Sequence, residues 1–125
     1  MKKLLVLLFS ILISLNSYGE WKKITENFYG DSYYIDFDSI KARNGYVYYW
    51  GLSDYITPNN GNMSSKIYYQ VDCELDKYKF LSGTFYNESM GKGKSETSTP
   101  PDDWMYLSPD SAYEVVIDSV CDYVE

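Results

Sequence analysis

The chain has 125 residues, with 18 acidic against 11 basic side chains, a formal net charge of −7 and no histidine. That length holds one domain and hardly two. The acidic balance repels phosphate backbones and anionic lipid, and the missing histidine removes Ser–His and Cys–His nucleophile pairs and the commonest general base.

The chain starts MKKLLVLLFSILISLNSYG, with Lys2 and Lys3 ahead of an apolar run from Leu4 to Leu15. Small residues Ser17 and Gly19 stand at the minus-three and minus-one places for cleavage before Glu20. This is the pattern of a secretory signal peptide over 1–19, and the 12-residue run is short for a bilayer span. The expected exported domain covers 20–125. It retains 9 of the 11 basic residues against all 18 acidic ones, a net charge of −9. No cysteine lies near the cleavage region, so lipid attachment there lacks its thiol.

EWKKIT (20–25) reads as a first short strand, and SYYIDF (32–37) as a second ending in a turn at Asp36-Phe37-Asp38-Ser39. Asn44-Gly45 is a hairpin turn, because both residues accept positive φ. It leads into the aromatic strand YVYYWGLSDY (46–55). TPNNGNM (57–63) reads as a loop, and Asp76-Lys77 as a short link between IYYQVDCEL and YKFLSGTFY. The polar stretch from Asn87 to Trp104 reads as a mobile loop with only Met90 and Trp104 to anchor it.

The period then changes. Tyr113, Val116, Ile117, Val120, Cys121 and Val124 form one helical stripe, with Glu114, Asp118, Asp122 and Glu125 opposite. Two starts are open: Ser108 as N-cap with Pro109 behind it, or a capping box from Ser111 to Glu114. The expected fold is α+β, an antiparallel sheet of about five or six strands with one C-terminal helix on one face.

Alternation along the strand puts Ile67, Tyr69, Val71, Cys73 and Leu75 on one apolar face. Cys121 lies on the apolar stripe of the helix, and there are no other cysteines. In an oxidising compartment a Cys73–Cys121 bond follows. It closes a loop of about 49 residues, worth roughly 4 kcal/mol in the chain-entropy model. Two cysteines without histidine do not complete a zinc set, and neither metal nor cofactor is expected.

No sequence motif points to catalysis. The carboxylate pairs Asp36/Asp38 and Asp102/Asp103 sit in predicted turns, where Asp serves local hydrogen bonding. The GxG of Gly91-Lys92-Gly93 lacks the strand-to-helix context of a phosphate loop. The unusual feature is 15 tyrosines. An apolar ring with a wet tip suits both half-exposed sheet faces and contact surfaces. The candidate binding element is either the 87–104 loop or a sheet face that combines Tyr68 with either Tyr49 and Tyr55 or Tyr46 and Tyr48, because the inner face of that strand is open between Val47, Tyr49, Tyr55 and Tyr46, Tyr48, Trp50, Leu52.

Several pieces together resemble the bacterial surface-adhesin protein E-like domain family. They are Trp21, YYIDFDSI (33–40), YYWGLSDY, SSKIYYQVDCELDKYKFLSGTFY (64–86), MGKGK and DDWMYLSPDSAYEVVIDSVC (102–121). The resemblance implies an antiparallel sheet with a C-terminal helix tethered by a disulfide. It also implies a binding module for host matrix or serum proteins rather than an enzyme. The expected setting is exported: periplasmic or secreted, with surface association open to it. The rival expectation is a periplasmic structural or accessory protein that serves an envelope partner and meets no host. An unpaired sheet edge leaves a homodimer open.

Overall fold

The computed structural model describes residues 20–125; the predicted signal segment lies outside them. Among the described residues seven strands and one α-helix follow in order: β1 (Lys22–Glu26), β2 (Ser32–Arg43), β3 (Tyr46–Asn59), β4 (Asn62–Asp72), β5 (Lys77–Glu88), β6 (Lys92–Ser98), β7 (Met105–Tyr106) and α1 (Ala112–Val124). Every pairing is antiparallel, in spatial order β1-β2-β3-β4-β5-β6. The two-residue β7 pairs with the start of β5.

Local chemistry explains the turns. Asn44-Gly45 and Asn60-Gly61 both take positive φ, 52° and 84°, then 53° and 80°, the pattern of tight two-residue hairpins. The expected loop 57–63 is therefore a hairpin, with β3 running to Asn59 and β4 resuming at Asn62. The expected turn at Asp36–Ser39 is a bulge inside a longer β2, where the register to β3 shifts between Asp36 and Lys41. The Ser39 hydroxyl donates to Asp36 O (2.6 Å) and accepts from Trp50 N (2.9 Å), so the displaced backbone groups keep partners.

The stretch expected as a mobile loop is mostly ordered. A 3-10 turn at Ser89–Gly91 reverses the chain into β6, which pairs with β5. Met90 N donates to Asp54 Oδ1 (2.8 Å) and Gly91 N to the Ser64 hydroxyl (2.8 Å), which itself donates to Glu88 O (2.6 Å). Every residue of β6 is exposed. With no face to bury, it carries no apolar alternation from which a strand could be read.

α1 starts at the second of the two predicted places. Ser111 Oγ accepts from Glu114 N (3.2 Å), and Glu114 Oε1 accepts from Asp110 N (3.4 Å). Val116, Ile117 and Val120 are buried against the sheet. Cys73 and Cys121 are bonded, Cα to Cα 6.0 Å, across a sequence separation of 48. Cys73 falls one residue beyond β4, in the turn to β5, yet it still packs on the core. Leu75, expected on the same apolar face, is 61% exposed. The turn breaks the alternation, and Asp72 Oδ1 accepting from Glu74 N and Leu75 N (3.1 Å each) holds it there.

Residues directly opposite one another on neighbouring strands share a face. Ile35, Gly51, Ile67 and Gly83 make one row under the helix, and Ala42, Val47, Val71 and Tyr78 make another. Tyr113 of α1 stacks on Tyr78 (5.4 Å between ring centroids) and lies 5.6 Å from Tyr33. The core is thus a layer of β-branched residues and tyrosines between sheet and helix.

A candidate interaction face opposite the helix

The same registers define the other face, which α1 leaves bare. Its central rows are Arg43–Tyr46, Lys41–Tyr48–Gln70–Lys79 and Asp36–Trp50–Tyr68–Ser82. Tyr48 and Tyr68 stack at 6.1 Å, and Trp50 lies 5.0 Å from Tyr68. Trp104 folds onto the same face. β7 holds Met105 against Tyr78 and Leu107 N against Asp76 O (2.9 Å), and the indole comes to 5.6 Å from Tyr46.

Cations are interleaved with these rings. Arg43 Cζ lies 4.6 Å from the centre of Tyr48, and Lys77 Nζ and Lys79 Nζ lie 4.6 and 4.4 Å from that of Trp104. At the other end Lys66 Nζ sits 5.2 Å from Tyr86 and 5.8 Å from Trp21. Such contacts spread the ammonium or guanidinium charge over an aromatic face and hold long side chains down. Lys79 also pairs with Asp102 (2.8 Å). Partial burial raises the Asp36 carboxyl above the usual carboxylate range, against the backbone hydrogen bonds it accepts from Asp38 and Ser39.

The predicted tyrosines divide between the faces. Tyr46, Tyr48 and Tyr68 lie together on the helix-free side, half-exposed. Tyr49 is fully buried in the core against Tyr69, and Tyr55 turns to the helix side, its hydroxyl 2.9 Å from Ser65 Oγ. Of the two sets left open by the sequence, the one with Tyr46 and Tyr48 faces out. Sequence reasoning missed Trp104, Arg43, Lys77 and Lys79 as members of this face. Trp104 follows a polar, Pro-punctuated stretch, and only the pairing of β7 with β5 brings it back.

A concavity of about 350 Å³ opens between the 26–29 segment and the start of α1. Phe28 is 99% exposed beside it. The loop is rigid: Asn27 Oδ1 accepts from Tyr29 N and Asp31 N (3.0 and 2.9 Å), and Asn27 Nδ2 donates to Asp31 and Tyr33 (3.0 and 3.2 Å). Among the described residues no cluster of His, Cys, Asp and Glu has the arrangement of a metal site. No helix among them is long and apolar enough to cross a membrane.

One antiparallel sheet, a C-terminal helix tied to it by Cys73–Cys121 and an uncovered aromatic second face define a small disulfide-tied α+β domain. The model of the family described as surface-adhesin protein E matches residues 21–122, and the chain belongs to that family. Haemophilus influenzae protein E in its crystal form II is similar in fold, with a TM-score of 0.61 at 21% identity over 86% of this chain and 91% of that one. Protein E from non-typeable Haemophilus influenzae superposes with a TM-score of 0.57 at 20% identity, covering 85% of this chain and 78% of that one. At these identities the likeness speaks to the fold. No curated protein sequence matches the chain.

Proposed function

We propose that this protein is an exported binding module of adhesin type, directed out of the cytoplasm by residues 1–19, that recognises a host or envelope protein through its helix-free sheet face. The observation that carries the reading is the contiguous, half-exposed array of Tyr46, Tyr48, Trp50, Tyr68 and Trp104 on the sheet face that α1 leaves uncovered. Trp, Tyr and Arg are the residues that dominate binding energy at protein interfaces. Rings fixed by neighbouring strands lose little entropy when a partner arrives. Family membership supports binding in place of turnover. The 87–104 segment belongs to the same reading, because it delivers Trp104 to the face.

The experiment is capture of partners by the tagged protein from envelope extract and from serum, side by side. Tyr48→Ala and Trp50→Ala each weaken capture about tenfold, as loss of an interface anchor does, while Tyr123→Ala on the helix leaves it unchanged. Capture indifferent to both face variants overturns the reading. Retention from the envelope extract but not from serum assigns the partner to the envelope.

A further inference from the structure

Charge on the helix-free face is concentrated at one corner. Lys41 and Arg43 leave β2 opposite Tyr48 and Tyr46, and Lys77 and Lys79 leave β5 opposite Asp72 and Gln70. β2 and β5 are three strand spacings apart, about 14 Å. Two pairs of cations therefore flank a strip of Tyr46, Tyr48 and Trp104.

Two carboxylates near this corner are already committed. Asp72 accepts from two backbone N–H groups of its own turn, and Asp102 takes Lys79. Among the described residues Lys41, Arg43 and Lys77 have no carboxylate partner; the ion pairs are Lys23–Glu26 and Lys79–Asp102. In a chain of net charge −7 this local excess runs against the average. Three of the 18 acidic residues, Glu114, Asp118 and Asp122, sit away from the strip on α1.

We infer that this corner takes an extended acidic polypeptide segment, with carboxylates four residues apart and an aromatic or aliphatic side chain between them. The inference rests on reading the face as a recognition surface and adds the chemistry of its partner. Four residues of extended chain span about 13 Å, close to the spacing of the two strands that carry the cation pairs. The carboxylates of such a segment meet Lys41 or Arg43 at one end and Lys77 at the other, while its central side chain lies on the strip. The overall negative charge of the chain separates this partner from a nucleic acid, whose phosphates it repels. Long-range attraction to the corner gives binding that weakens as salt rises.

The test uses two synthetic peptides of one composition, Glu-Ser-Tyr-Ser-Glu and Glu-Glu-Ser-Tyr-Ser, together with Lys-Ser-Tyr-Ser-Lys. Amide shifts of the isotope-labelled protein detect weak binding and report its place. The spaced acidic peptide binds about tenfold tighter than its isomer, shifts residues of β2, β3 and β5, and loses affinity with salt. Arg43→Gln and Lys77→Gln each weaken it about tenfold, with the unfolding midpoint unchanged, whereas Lys92→Gln on β6 has no effect. Equal binding of the isomer, preference for the lysine peptide, indifference to the charge-removing variants, or tighter binding of a sulfated oligosaccharide at this corner overturns the inference. Protein capture that depends on Tyr48 and Trp50 but not on Arg43 and Lys77 overturns it and leaves the recognition face standing. Capture that depends on none of them removes both.

Discussion

Tyr49 and Tyr69 stack in the core with ring centroids 4.7 Å apart and planes 12° from parallel, and Gly51 supplies the space beside them. A Cβ at Gly51 would stand 2.9 Å from Tyr69 Cε2 and 3.3 Å from Tyr49 Cε2. Both rings are held by the sheet and cannot retreat without moving the strands. Gly51→Ala is expected to destabilise by about 1–3 kcal/mol, the range for overpacking a filled core. At Gly83 a Cβ meets Phe85 at 3.4 Å, ordinary contact, so Gly83→Ala costs less. Urea unfolding of the two variants checks the order.

The buried Tyr49 hydroxyl has no hydrogen-bond partner in the protein. A buried polar group left unpaired costs about 1–3 kcal/mol. Tyr49→Phe keeps the ring on Tyr69 and removes the hydroxyl, so its unfolding midpoint is expected to rise. A fall in the midpoint would contradict this account of the core.

Burial holds the phenols of Tyr49, Tyr69 and Tyr113 above their ordinary value of 10.0. Once pH passes that value the unfolded chain loses protons that the fold keeps. The unfolded state then binds fewer protons, and stability falls as pH rises. The loss is absent at neutral pH, begins near pH 10 and grows by about 1.4 kcal/mol per pH unit for each of the three rings. Chemical denaturation at a series of alkaline pH values measures the slope, and Tyr69→Phe is expected to reduce it. Tyrosinate absorbance from these rings should appear together with unfolding.

The Cys73–Cys121 bond ties the turn after β4 to the last turn of α1. No basic residue stands in that last turn, while Asp122 lies in it and Glu125 caps it, so the helix dipole is opposed there. Reduction is expected to lower stability by about 4 kcal/mol for a loop of this length. Thermal melts with and without reductant measure it, with Cys73→Ser/Cys121→Ser as the matching variant.

At the other end of α1, Ser111→Ala removes the cap to Glu114 N and is expected to cost about 1 kcal/mol. Ser108 contributes its carbonyl to Ser111 N and Oγ, which alanine keeps. Ser108→Ala is therefore close to neutral, and unfolding midpoints of the pair show which serine caps the helix.

Parts of this architecture could be read in one dimension because a local rule carries them. The helical stripe from Tyr113 to Val124 names the face α1 buries. Asn44-Gly45 names its turn through positive φ. Two cysteines on apolar faces name their partner in an oxidising compartment. β6 escaped because its seven residues are all exposed and bury nothing that would show as a period. The bulge at Asp36–Ser39 escaped because its hydrogen bonds reach β3, far along the chain.

The sequence by itself determined the class of the fold, the helix and the disulfide, since these rest on spacing and on residue chemistry within short reach. The outward side of β3 was decided only in three dimensions. Both sides of that strand are aromatic, so alternation alone is silent. The docking of α1 and the gap at Gly51 draw Tyr49 inward and leave Tyr48 and Trp50 outside. Tertiary structure likewise gathered Arg43, Lys77, Lys79 and Trp104 around Tyr46 and Tyr48. Strand register and the β7 pairing put residues from separate stretches within a few ångströms of one another, and no local pattern encodes that meeting.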